Sequence, residues 1–231
     1  MDLFATTRQA FVLLFSGDPD LWAIILVSIK VSLAAMLIAT PWAIAIGYLL
    51  AVSSFRGRTL LIQLNQGLLA SPTVVIGLVL YLLLSRQGLF GSLHVLFTRQ
   101  AMVIGQVIIA LPVLVAFTLS AVQSADPRVH ETTLSLGASG LKTALTTLSE
   151  VRFGVMAAVF SAFGRVVSEI GCSLMVGGNI AGFTRNIPTA IALETSKGEF
   201  AEGVALGFVL LALALLVNFS LAFLQGGGGL R

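Results

Sequence analysis

The stretch that decides the fold is ADPRVHETTLSLGASGLKTALTTLSEVR, residues 125–152, which divides an otherwise apolar chain. It holds seven charged or titratable side chains together with several threonines and serines. Asp126 followed by Pro127 is typical of a helix start, with the acid as N-cap and the proline in the first turn. Gly137 can end this helix in a left-handed conformation, and Ser139 can cap a second helix. The stretch therefore predicts two short helices that meet at a glycine, outside the membrane.

The second of these helices carries an apolar stripe. Its apolar residues follow the i, i+3, i+4, i+7 spacing that places side chains on one face of a helix. They are Leu141, Ala144, Leu145 and Leu148. An exposed pair of amphipathic helices on one face of a membrane is suited to docking a partner protein.

The composition excludes an ordinary soluble domain. Of 231 residues, 57% are hydrophobic and only 10% are charged, and the mean hydropathy is +1.02. Soluble domains are about 45–50% apolar and about one quarter charged. Too few charges are present to cover so much apolar surface, so lipid must be the solvent for most of the chain.

Outward from the polar stretch, the sequence predicts five membrane spans, because about 20 apolar residues cross the hydrocarbon layer. The predicted spans are residues 21–52, 59–85, 101–124, 153–175 and 203–225. Pro41, Pro72 and Pro112 lie near the middle of the first three. A proline inside a span frees a carbonyl that another group must satisfy, which favours helices packed around something, although simple bundle packing is the alternative. The predicted fold class is an all-α polytopic membrane protein.

The ends of the chain are assigned separately. Residues 1–20 form an N-terminal segment whose apolar part, 3–15, is too short to span and is predicted to be an interfacial helix. No basic region precedes it, which argues against a signal peptide. Residues 21–225 form the transmembrane domain, and residues 226–231 are predicted to be a flexible tail.

The sequence offers little for an enzyme. No G-x-x-x-x-G-K-[ST] phosphate loop, metal-ligand cluster or nucleophile–base pair is visible. The two histidines are isolated, and Cys172 is interpreted as a small packing residue. If the chain moves a solute against a gradient, the energy must therefore enter through a partner.

Two ionisable residues lie inside the fourth predicted span. Arg165 and Glu169 are four residues apart and therefore lie on one helical face. Ionisable groups in a membrane are costly, so they pair or face a polar cavity. They are either a self-neutralising structural pair or part of a translocation path, where Arg165 would favour an anion. Lys30, in the first span, is interpreted as snorkelling to the outer interface.

The residues Glu131-Thr132-Thr133, followed by Gly137 and an amphipathic stretch, resemble the "EAA" loop of ABC importer permeases. In that family the loop is cytoplasmic, lies between the third and fourth of five core spans, and carries the coupling helix that sits in a groove of the ATPase subunit. The resemblance implies a coupling role for Glu131, Gly137, Ala138, Ser139 and Leu141. The family's Leu-Pro element after the second helix is absent, since residues 147–150 read Thr-Leu-Ser-Glu.

Other segments are similar to the permeases of molybdate, tungstate and sulfate importers. These are Ser71-Pro72-Thr73 with the Val-Val-Ile-Gly-Leu that follows, and Arg165-Val-Val-Ser168-Glu169-Ile-Gly171. Gly177-Gly178-Asn179-Ile180 and residues 189–200 resemble the tungstate branch in particular. The resemblance implies a translocation path or gate at Ser71, Pro72, Thr73, Arg165, Ser168, Glu169, Gly177 and Asn179.

The resemblance implies the membrane subunit of a type I ABC importer that brings an oxyanion, tungstate above all, into the cytoplasm. It further implies a homodimer in the cell membrane, two ATPase subunits that bind ATP and Mg, and an extracytoplasmic oxyanion-binding protein. No cofactor, metal or nucleic acid is expected on this chain, which is a transport subunit and no enzyme. The N-terminus is expected outside and the C-terminus in the cytoplasm, although six basic residues inside against five outside are a poor guide.

Three alternatives stay open from the sequence. Molybdate or sulfate could be imported by the same mechanism. An ion-coupled secondary transporter could use Arg165 and Glu169 as its coupling site. A membrane scaffold without transport would show no flux with any partner.

Overall fold

The computed structural model describes residues 3–224, which form eleven α-helices and one short 3-10 turn at Gly91–Leu93. The helices are α1 (Leu3–Phe15), α2 (Pro19–Val52), α3 (Arg58–Ala70), α4 (Thr73–Leu84), α5 (Arg99–Gln123), α6 (Pro127–Ser135), α7 (Gly140–Glu150), α8 (Arg152–Val167), α9 (Gly171–Gly177), α10 (Ile187–Lys197) and α11 (Phe200–Leu224). The predicted all-α polytopic fold is confirmed. The tail predicted at residues 226–231 lies outside the described range.

Three helices are long and apolar enough to cross a membrane unbroken, namely α2, α5 and α11. The second and fourth predicted spans are each split into two helices. α3 and α4 meet at a bend of 99°, and α8 and α9 meet at a bend of 57°. The described residues therefore offer three candidate spans, or up to five if each bent pair crosses the membrane once.

The break between α3 and α4 has a local cause. Pro72 has no backbone N–H and forces the preceding residue away from the helical region, and Ser71 is accordingly extended, with φ −67° and ψ 133°. The second predicted span is thus completely broken at Pro72. Pro41 and Pro112, in contrast, stay inside α2 and α5. A proline within a predicted span is therefore compatible with either a continuous helix or a break.

Helix α5 lies at the centre of the bundle and packs against α2, α3, α8 and α9. Its contact with α2 is close, since a Cβ on Gly47 would lie only 2.8 Å from Cβ of Thr118. Small residues on both sides of this contact, such as Ala43 and Ala110, are fully buried. Backbones that approach this closely gain van der Waals contact, which drives helix association in lipid.

The N-terminal helix α1 packs on α11 rather than standing apart. Ala10 is fully buried, and the rings of Phe11 and Phe208 stack with centroids 5.1 Å apart. α2 then begins at Pro19, with the Asp18 carboxylate accepting the N–H of Asp20 at 2.9 Å. The helix at 3–15 is confirmed, and its place at the membrane interface stays a prediction.

Candidate functional site

The two broken spans touch each other near their breaks. A Cβ placed on Gly171, the first residue of α9, would lie 2.6 Å from Cγ2 of Val74 and 3.2 Å from Oγ1 of Thr73. A Cβ on Gly77 would lie 2.7 Å from Cα of Cys172. α4 and α9 therefore meet backbone to backbone, and glycine at both positions makes that approach possible. The first residues of α4 and of α9 form one junction.

Glu169 stabilises the break between α8 and α9. Its buried carboxylate accepts the backbone N–H of Cys172 at 2.7 Å and that of Ser173 at 2.9 Å. The Ser173 hydroxyl donates a third hydrogen bond to it at 3.0 Å. These N–H groups belong to the first turn of α9, which has no intrahelical partner for them. A carboxylate here satisfies them and interacts favourably with the positive end of the helix.

The hypothesis of an Arg165–Glu169 ion pair is wrong. α8 ends at Val167 and Ser168 forms its cap, so the two residues do not share one helical face. The carboxylate of Glu169 turns into the first turn of α9, whereas Arg165 is exposed. Across residues 3–224 no ion pair joins them. The two residues are separate features of the site.

Two serines of the predicted path close helix ends. Ser71 donates its hydroxyl to the carbonyl of Gly67 at 3.0 Å, and Ser168 donates to that of Gly164 at 2.8 Å. Each hydroxyl thus satisfies a carbonyl in the last turn before a break, where intrahelical donors run out. Ser71, Pro72 and Thr73 form the first break, and Thr73 reaches the second.

Gly177 and Asn179 lie elsewhere. They are at the far end of α9, about 9 Å along its axis from Gly171 at 1.5 Å per residue. The Gly177 carbonyl accepts the Thr184 hydroxyl at 2.6 Å. Asn179, with φ 51°, donates its side-chain N–H to the carbonyl of Thr189 at 3.4 Å. The residues predicted for one path therefore occupy two places, the junction of the breaks and the loop after α9.

A charged cluster that the sequence did not predict lies next to this loop. Glu194 is buried and binds Lys197 at 3.0 Å and Arg185 at 4.0 Å. The cluster borders a cavity of about 420 Å³ that Asp18 and Glu202 also line. The three-residue spacing of Glu194 and Lys197 in the sequence could have indicated their ion pair. Arg185 and Asp18, in contrast, are brought next to this pair only by the tertiary fold.

The helix pair predicted at residues 125–152 is confirmed as α6 and α7. Gly137 has φ 77° and donates its N–H to the carbonyl of Leu134 at 2.9 Å. Ala138 donates to the carbonyl of Thr133 at 3.1 Å, which completes the helix end. Ser139 caps α7 by accepting the N–H of Lys142.

The Asp126 carboxylate caps α6 in the same way, by accepting the N–H of Arg128 at 2.9 Å. Hydrogen bonds from the side chain and backbone of Arg128 lower the pKa of this exposed carboxyl. The backbone of Glu131 lies in α6, while its side chain is outside the described part of the structure.

The apolar stripe of α7 faces outward. Leu141 is 72% exposed and Leu145 is 59% exposed, whereas Thr143 and Thr147 are buried. Together with Leu136 at the α6 end, which is 81% exposed, the leucines form an apolar patch, which we call the leucine patch. It borders a groove of about 650 Å³ against the last turns of α2. A large exposed apolar patch marks a protein or membrane interaction site.

Comparison with known proteins adds family information. No protein-family model matches the chain. It is 40% identical over 197 residues to a "Probable anion ABC transporter permease protein" of Haloferax volcanii, covering 83% of this chain and 85% of that protein. It is 36% identical over 217 residues to the "Tungstate uptake system permease protein TupB" of Campylobacter jejuni, covering 94% and 91%.

A solved structure is similar in fold. A bacterial alginate ABC transporter, in complex with an alginate pentasaccharide-bound periplasmic protein, superposes with a TM-score of 0.75 at 16% identity. The match covers 94% of this chain and 81% of the solved one. The broken spans and the α6–α7 pair thus lie in a chain whose overall fold is that of a known transporter chain.

Proposed function

The chain belongs to the permease subunits of ABC transporters, and we propose that it is the membrane-spanning subunit of an importer that carries tungstate into the cytoplasm. One observation carries the substrate: 36% identity to a tungstate permease over 94% of this chain. The second relative, named for anions, agrees with an oxyanion. Molybdate and sulfate are the competing oxyanions that the test must separate.

A separate ATPase supplies the energy in this proposal. The chain carries no phosphate-loop motif of its own. The leucine patch offers an apolar surface of the kind that a partner protein covers. We assign it to the ATPase, with Glu131, Gly137, Ala138, Ser139 and Leu141 in the coupling segment, and with ATP and Mg bound on that partner.

The orientation follows from that assignment. If α6 and α7 face the cytoplasm and each bent pair crosses once, the N-terminus lies outside and the C-terminus lies inside. The loop after α9 and helix α10 then face the extracytoplasmic side, where an oxyanion-binding protein delivers its ligand. The similar alginate transporter was solved with a periplasmic protein bound, which supports such a partner.

The transport cycle is proposed to use two copies of the chain and two ATPase subunits. Closure of the ATPases on ATP draws the two α6–α7 segments together and opens the permease outward. The binding protein releases the oxyanion, and hydrolysis returns the permease to the inward-open state. A ligand moved in this way must be held weakly enough to leave.

Uptake of radiolabelled tungstate into proteoliposomes tests the proposal. The vesicles contain the chain, its ATPase and the loaded binding protein, and a hydrolysis-deficient ATPase is the control. We expect ATP-dependent tungstate uptake that sulfate does not match. Equal sulfate uptake would contradict the substrate, and uptake driven by an ion gradient without the ATPase would contradict the class.

A further inference from the structure

Helix α8 has a face that lipid would not cover. Its buried side carries Ala158, Ala162 and Val166. Beside it runs a stripe of small or polar residues that are exposed or half-exposed: Ala157, Ser161, Gly164, Arg165 and Ser168. These positions recur at three- and four-residue steps and therefore form one stripe along the helix. The bulky residues Phe153 and Phe160 lie on other sides.

Helix α3 is divided in the same way, and none of its residues is buried. One exposed stripe is polar or small and consists of Thr59, Gln63, Gln66, Gly67 and Ala70. A second exposed stripe is purely apolar and consists of Leu60, Leu61, Leu64 and Leu68. A helix in a membrane-crossing pair that shows both kinds of surface faces two different environments. The leucine stripe suits lipid, and the glutamine stripe suits water.

The placement of the two polar stripes follows from how α3 and α8 pack on α5. α3 and α8 both pack on α5, where Asn65 donates to the carbonyl of Pro112 and Gly154 lies against Ala121. Both helices run in the same direction toward the junction of Thr73 with Gly171. Helical geometry rotates the polar stripe one way on α3 and the opposite way on α8, relative to the side that contacts α5. With α3 and α8 on opposite flanks of α5, both stripes therefore turn to one surface.

Arg165 stands out on this surface. Within the described helices α3, α4, α5, α8 and α9 it is the only charged side chain that is not the first residue of its helix. Its guanidinium has no ion pair and no hydrogen bond with any side chain or backbone group that the structure describes. Lys30, the other lone cation inside a span, lies among the exposed residues Leu26, Leu33 and Leu37. Only Arg165 is part of a polar surface.

We propose that the polar stripes of α3 and α8 line a water-filled path shared by two copies of the chain, and that Arg165 of each copy selects a divalent oxyanion there. This proposal rests on the proposed function and names the residues that select its substrate. A charged side chain at membrane depth must face water or protein. A second copy covers the stripe with an identical polar surface across a two-fold axis.

The chemistry of the pair fits a doubly charged oxyanion. Two guanidinium groups repel each other when the path is empty, and a dianion between them neutralises both. The planar guanidinium donates paired hydrogen bonds to two oxygens of such an anion. Gln63 and Gln66 add neutral donors, which orient an anion without holding it as tightly as further cations would. Weak, multiple contacts permit release to the cytoplasm.

Cysteine labelling tests the path without any transport assay. Ser161→Cys and Gln63→Cys are introduced into the complete importer in membranes, with Leu64→Cys as the matched control on the leucine stripe. The parent chain, whose Cys172 is buried, gives the background. We expect a water-soluble anionic thiosulfonate to modify the two path variants at least about tenfold faster than Leu64→Cys. Equal rates at all three positions would overturn the path.

The same labelling experiment measures how the charge of Arg165 affects the reaction rate of each reagent. Adding Arg165→Gln to Ser161→Cys should slow the anionic reagent about tenfold while leaving a cationic reagent unslowed. Millimolar tungstate should protect Ser161→Cys only when Arg165 is present. If both reagents respond alike, or protection persists without Arg165, the anion-selective role is excluded. Protection by sulfate instead of tungstate would keep the path and revise only the substrate.

A transport measurement completes the test. Arg165→Gln should leave ATP hydrolysis stimulated by loaded binding protein within about twofold while tungstate moved per ATP falls about tenfold. Arg165→Lys should retain most transport, because it keeps the charge. Lys30→Gln, the matched lone cation, should change neither quantity. A loss of hydrolysis as large as the loss of transport would assign Arg165 to assembly and overturn the proposal, as would normal transport by Arg165→Gln.

Discussion

Glu169 shows how a single residue serves a break in a membrane span. Its carboxylate replaces the intrahelical acceptors that the first turn of α9 lacks, with three donors at 2.7–3.0 Å. Buried N–H groups left without an acceptor in a membrane cost several kcal/mol. The residue therefore positions α9 against α4 and does not form an ion pair with Arg165.

We expect Glu169→Ala to lower the free energy of unfolding by about 1–3 kcal/mol, because two N–H groups and a hydroxyl lose their acceptor. Glu169→Gln should lose less, since its amide oxygen still accepts. The melting temperature of the purified protein in detergent measures both. Glu150→Gln, at an exposed position in α7, is the matched control. Since Arg165 is not its partner, Arg165→Gln and Glu169→Gln should have additive effects on the melting temperature. A double variant that is more stable than Glu169→Gln alone would instead support the ion-pair hypothesis.

At the scale of elements, the α6–Gly137–α7 unit depends on one left-handed residue. Gly137 has φ 77°, and a Cβ added there would meet no atom within 4 Å. The conformation, rather than a lack of space, therefore restricts this position. β-branched residues tolerate it poorly, whereas asparagine adopts it more readily.

Gly137→Val should insert and dimerise normally but retain the ATPase at least about tenfold less well, because strain of about 1–3 kcal/mol displaces α7. Gly137→Asn should retain it nearly as the parent does. Co-purification of the ATPase and its turnover in proteoliposomes check both variants. Normal ATPase retention by Gly137→Val would show that this unit is not the coupling element.

The leucine patch on α7 supports a second prediction about the same unit. Burial of a leucine side chain is worth about 1.5–3 kcal/mol, so Leu141→Ser with Leu145→Ser should weaken ATPase binding by about a hundredfold or more. The melting temperature should stay unchanged because both side chains are exposed. Lys142→Ala, between them but off the stripe, is the control. Unaltered ATPase binding would assign the patch to another partner.

At the scale of the whole molecule, the two bent pairs decide the topology. If α3–α4 and α8–α9 each cross once, five crossings place the chain ends on opposite faces of the membrane. A cysteine at exposed Ala5 should then react with an impermeant thiol reagent from outside, while a fluorescent protein fused to the C-terminus folds in the cytoplasm. Both ends on one side would mean that one bent pair is re-entrant.

The apolar segments and the α6–α7 unit were predictable from the sequence because their causes are local. Asp18, Asp126 and Ser139 each cap the helix that begins beside them, and Gly137 needs only its own φ to end α6. Side chains three and four positions apart share a face in any helix. Such features depend on neighbours within one or two turns, which a sequence displays directly.

Only the tertiary structure decided what meets at the breaks. Taking the fourth span as continuous placed Glu169 beside Arg165, but the 57° bend turns the carboxylate into α9 and leaves the arginine exposed. The contact of Thr73 with Gly171 joins residues nearly one hundred positions apart. A bend angle and a backbone approach arise from the packing of four helices around α5, and no local pattern encodes that packing.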